Sequence, residues 1–122
     1  MRANSKLSVV LPKHWVWMFG KVSKAIHVLV TNNYDVRNRV WVASDYLMML
    51  DPDSVPEQCR EDVVWIQHML TRYPPDEHRR SALDATYHRT RCVTASKIAA
   101  RVWKLYHVYE TAFQAQARRE RA

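Results

Sequence analysis

One glycine, Gly20, in 122 residues constrains the fold of this chain more than any other feature of its sequence. Tight β-hairpins need residues that accept positive φ, so a chain almost without glycine is expected to be all-α. The five prolines sharpen the expectation, because all lie at or before position 75 and residues 76 to 122 contain neither helix breaker. At this length one helical domain over residues 1–122 is expected, able to bury roughly 70% of its unfolded surface. An apolar content of 48% is globular in spite of a net charge of +7.

Apolar spacing divides the chain into a compact bundle of about five helices, over approximately 13–31, 35–50, 55–72, 76–90 and 95–119. Trp15, Phe19, Val22, Ile26 and Leu29 recur at helical intervals and share one face, with residues 31 to 33 as a stop. Gly20 inside that helix costs about 1 kcal/mol relative to Ala, so a close approach by a neighbouring backbone is expected there. Asp35 is placed to cap the second helix, whose seam is Val36, Val40, Ala43, Leu47 and Leu50. Ser54 and Glu57 fit a capping box ahead of a third seam, Cys59, Val63, Ile66 and Leu70, which Tyr73-Pro74-Pro75 ends. Residues 76 to 122 read as two helices with the break in Thr90 to Thr94, where β-branched residues propagate a helix poorly and Thr94 can cap the next. In the last helix Ile98, Val102, Leu105, Tyr109 and Ala112 form the core stripe, with Tyr106 and Phe113 on its flank. Residues 1–10 and 118–122 are expected to fray.

Charge is segregated along the chain. Residues 1–34 hold five basic side chains and no acid, residues 35–77 carry a net −5, and residues 78–122 a net +7. Acidic middle helices can therefore pair with basic ends inside the fold, with another copy, or with a partner, while any unpaired basic surface attracts polyanions. In the densest basic block the expected phosphate-binding residues are Arg79, Arg80, Arg89, Arg91, Lys97, Arg101 and Lys104, since neutralising phosphates releases condensed counterions whatever the base sequence. Trp103 and Tyr106 border this face and are candidates for stacking on unpaired bases, although burial of Trp103 is the stronger expectation in a bundle this small.

Other chemistries find little footing. Cys59 and Cys92 stand far apart, which gives neither a disulfide scaffold nor a four-cysteine zinc site and suits a reduced, cytoplasmic setting. The first fifteen residues offer only a short apolar run before Pro12 and Lys13, a poor signal peptide and too short for a membrane span, so neither export nor membrane insertion is expected. Six histidines are scattered without metal-ligand spacing, adjacent acids such as Asp51 and Asp53 or Glu61 and Asp62 suit helix ends, and a glycine-rich phosphate loop is absent. No cofactor, catalytic residue or metal ligand is expected.

Two short motifs carry family resemblances. Arg101-Val-Trp-Lys-Leu-Tyr-His107 resembles the arginine, four to six residues, histidine motif of HEPN ribonucleases, which are all-α proteins that assemble an RNA-cleaving site across a dimer. The resemblance covers seven residues and implies catalytic roles for Arg101 and His107; on one straight helix the two point about 120° apart, so convergence needs a second subunit. Residues 94 to 113 open on Ser-x-Ile-Ala, which resembles the first helix of helix-turn-helix regulators, with Trp103 where that family places a glycine turn.

The leading expectation is a small non-enzymatic protein that binds nucleic acid mainly through phosphates, alone or as an accessory subunit of a nucleoprotein complex. A protein–protein module that regulates or inhibits another macromolecule is the alternative, its partner an acidic protein surface and its cue the abundance of Trp, Tyr, Met and Arg. An HEPN-like ribonuclease comes third. Homo-oligomerisation is compatible with each, and no membrane partner is expected.

Overall fold

The computed structural model describes residues 11–121, with the side chain of Arg121 left aside. Five helices follow one another: α1 (Lys13–Thr31), α2 (Val36–Leu47), α3 (Glu57–Leu70), α4 (Ala82–Arg89) and α5 (Cys92–Arg121). No strand occurs among the described residues, so the all-α bundle expected from the glycine count is the observed fold. The 76–122 stretch is two helices rather than one.

The heptad-like seams are the core. Val40, Ala43, Leu47 and Leu50 meet Cys59, Val63, Ile66 and Leu70 and the stripe Ala95, Ile98, Val102, Leu105 and Tyr109 in one cluster, which Val22 and Ala25 join from α1. Tyr109 is fully buried and its hydroxyl donates to the Trp15 carbonyl at 2.6 Å, so the largest core side chain leaves no polar atom unpaired. Burial holds the Tyr109 phenol well above its ordinary pKa. Phe19, Tyr106 and Phe113 pack around it and join α1 to α5. The half-buried Gln67 amide donates to the Leu47 and Leu50 carbonyls at 3.0 and 2.7 Å, tying the end of α2 to α3.

Helix ends depart from the sequence expectations where local chemistry competes. Asp35 caps α2 as expected, accepting from the Asn38 backbone N–H at 2.8 Å. The Ser54–Glu57 capping box does not form: Pro56 disfavours helical backbone at Val55, α3 starts at Glu57, and the Ser54 hydroxyl donates to Asp51 instead. Residues 76–81, expected to be helical, are irregular. The Asp76 carboxylate accepts from the His78 and Arg79 backbone N–H groups, closing a small loop, and α4 begins only after Ser81, whose hydroxyl accepts from the Asp84 N–H. The break before α5 lies at Thr90, in extended backbone, so Thr94 caps nothing and sits inside a helix that starts three residues earlier than expected. Gly20 meets no neighbouring backbone, with nothing within 4 Å of where a Cβ would stand. The helix α5 continues through Arg121, and residues 1–10 of the expected frayed start lie outside the described residues.

Candidate nucleic-acid interface

The basic block folds into two unlike groups. On α5, Arg101 and Lys104 turn toward α3 and share Asp62, a carboxylate only 2% exposed. The Arg101 Nε donates to Asp62 Oδ1, Lys104 Nζ lies 3.3 Å from the same oxygen, and Glu61 stands 3.6 Å from the other edge of the guanidinium. Beneath, the Arg101 guanidinium carbon lies 4.7 Å from the centroid of the Trp65 ring. A buried carboxylate demands such compensation, so these two cations serve the α3–α5 contact.

The rest of the block lies along the 71–81 loop, α4 and the first turns of α5, and part of it gathers on Tyr73. Tyr73 anchors it: its backbone N–H donates to the Thr86 hydroxyl at 3.0 Å, and its ring carries the Arg72 and Arg89 guanidiniums at 5.0 and 5.1 Å. Arg37 reaches in from α2, over the Tyr87 ring and onto the Thr90 carbonyl. Arg80, Arg89, Arg91 and Lys97 are exposed and Arg79 is half-buried. Among the described residues, none of these five, nor Arg72, forms an ion pair. Asp76 is the acid nearest in effect: the backbone N–H groups of His78 and Arg79 hold its pKa below the usual carboxylate range, with His78 and Arg89 adding to the shift. Sequence reasoning did not single out Arg37, Arg72 or Tyr73, because their places come from contacts across the fold.

The aromatic candidates separate as well. Trp103, expected to be buried, is 51% exposed. Its ring runs nearly parallel to Tyr106, at 14° and 6.0 Å, and Tyr106 in turn stacks on Phe19. His107 meets Trp103 edge-on at 4.3 Å and lies 3.6 Å from Glu110, so it faces away from the Asp62-bound Arg101. The Arg101/His107 pair thus does not converge within one chain.

Cys59 is buried, and desolvation followed by the nearby Asp62 pushes its thiol up to about 12; Cys92 is exposed. No group of three potential metal ligands occurs among the described residues. No helix there is long and apolar enough to cross a membrane. No family model matches the chain, and neither the curated proteins nor the solved structures contain a match to it.

Proposed function

We propose that this chain is a non-enzymatic, cytoplasmic nucleic-acid-binding protein that grips phosphates with the cations around the end of α4, alone or as an accessory subunit of a larger assembly. The observation that carries this reading is that, among the described residues, Arg79, Arg80, Arg89, Arg91 and Lys97 have no ion-paired acid, while the remaining two cations of the same block share Asp62. Unpaired exposed cations attract a polyanion and release its counterions, and Arg adds planar donors that fit phosphate oxygens. Arg72 joins the set, and Arg101 and Lys104 leave it.

Titration of single- and double-stranded oligonucleotides across a range of salt concentrations tests the proposal. Replacing Arg80, Arg89, Arg91 and Lys97 together by Ala is expected to flatten the dependence of log K on log salt by about 3, at roughly 0.7 to 0.9 per phosphate contact. An unchanged slope removes these residues from the interface.

One observation favours the protein–protein reading as runner-up. Between α2 and α4, Trp41, Val42, Leu83, Tyr87, Asp45 and Asp84 line an open cleft of about 510 Å³, a lining suited to a basic side chain of a partner protein rather than to the acidic surface expected from the net charge.

A further inference from the structure

The outward face of α1 lies outside the basic block. There Lys13, Val16, Trp17, Gly20, Lys21 and Lys24 line a shallow groove of about 400 Å³. Trp17 is 64% exposed, and the Lys21 ammonium stands 4.7 Å from its ring centroid. The space beside Gly20 is open, so none of the described residues fills the floor. Lys13, Trp17 and Lys21 follow at intervals of four residues, about 6 Å along the helix, which sets one aromatic ring between two cations. Among the described residues no carboxylate lines the groove, and α1 contains none.

We propose that this face is a second nucleic-acid contact, selective for single strands, in which Trp17 stacks on an unpaired base and Lys13, Lys21 and Lys24 hold the flanking phosphates. The ligand class rests on the nucleic-acid reading above; the strand selectivity comes from the groove. A duplex keeps its bases stacked inside and offers Trp17 nothing, whereas a single strand presents base faces and phosphates in alternation. With Trp17 on a base face and the lysines on phosphates, the contacts proposed here carry no base-edge readout, so binding is expected to depend little on sequence. An acidic protein would satisfy the lysines, but Val16 and Trp17 alone supply too little apolar surface for a stable protein interface, which buries about 800 Å² on each side.

The test compares a labelled oligothymidylate with a duplex of equal length, for the wild type, Trp17→Ala, Trp17→Phe, the triple variant Lys13→Ala/Lys21→Ala/Lys24→Ala, and the four-residue variant at the end of α4. Trp17→Ala is expected to weaken single-strand binding about 5- to 150-fold, Trp17→Phe to restore most of it, and duplex binding to move less than about twofold. The triple lysine variant should flatten the single-strand salt dependence by about 2. Circular dichroism should stay unchanged throughout, because none of the substituted side chains is buried. If Trp17→Ala binds single strands like the wild type while the α4-end variant does not, the groove proposal falls and the nucleic-acid reading stands. If the wild type binds no oligonucleotide at low salt, both fall. Binding of polyglutamate that needs the three lysines, without oligonucleotide binding, reassigns the face to an acidic protein.

Discussion

At the α3–α5 contact and at the end of α4 the chain deploys the same residue types to opposite effect. Arg101 and Lys104 both turn to the buried Asp62 carboxylate, Arg101 at the closer approach. Arg89, twelve residues earlier than Arg101, rests on a tyrosine ring instead and keeps its charge available. Proximity in sequence therefore says little about whether a cation is structural or free. What decides is the element it faces: α3 offers a buried acid at the right height, and the 71–81 loop offers mainly an aromatic ring.

The contrast can be broken most severely at Arg101. Arg101→Met strands Asp62 with only an exposed lysine and is expected to cost about 3 kcal/mol in denaturant unfolding, whereas Arg91→Met stays within about 0.5 kcal/mol. Pairing Arg101→Met with Asp62→Leu should recover most of the loss, since an apolar pair replaces a buried ion pair well. Equal costs at positions 91 and 101 would erase the distinction between the two regions.

Lys104→Ala sharpens it from the binding side: the salt dependence of oligonucleotide affinity should remain as in the wild type, while Arg89→Ala lowers it by roughly 0.7 to 0.9. Thiol labelling offers a further contrast, because each region carries one cysteine. Cys92 is expected to react with a disulfide reagent at pH 8 in the folded protein and Cys59 only on unfolding, its pKa of about 12 and its burial leaving no accessible thiolate. The smallest effect is at Asp76. Its folded pKa lies below the ordinary value, so its contribution to the 76–79 loop is present at neutral pH and fades as pH falls through that depressed pKa. Arg89→Ala should move the NMR titration of this carboxyl toward its ordinary value, and no movement would place Arg89 elsewhere.

The helices were legible because each buries one stripe. Cys59, Val63, Ile66 and Leu70 on α3, and Ile98, Val102, Leu105, Tyr109 and Ala112 on α5, are buried as their spacing requires. Boundaries were less so, because several side chains competed for the same backbone donors. Ser54 had Asp51 as a nearer partner, and the true cap of α4, Ser81 with Asp84 three residues on, was masked by the basic residues around it. The pairing that splits the basic block spans 39 positions between Asp62 and Arg101, beyond the reach of any local pattern. The exposure of Trp103 was not legible for a related reason: helical spacing places it off the core stripe, and whether that flank is covered depends on packing across the fold.

Asp62 also settles how α3 and α5 align. Sliding α5 by one turn in one direction would set Leu105 and Val108 against the carboxylate, and in the other would leave it Lys97 and Ala100; neither offers a guanidinium and an ammonium together. One alignment of the two helices is therefore favoured over its neighbours by a single acid, much as a lone polar residue fixes the register of a coiled coil. With leucine at position 62 and methionine at 101 the pair would keep its helices and most of its stability but lose the mark that tells them where to stop, and broadened NMR resonances along the α3–α5 contact would record the sliding.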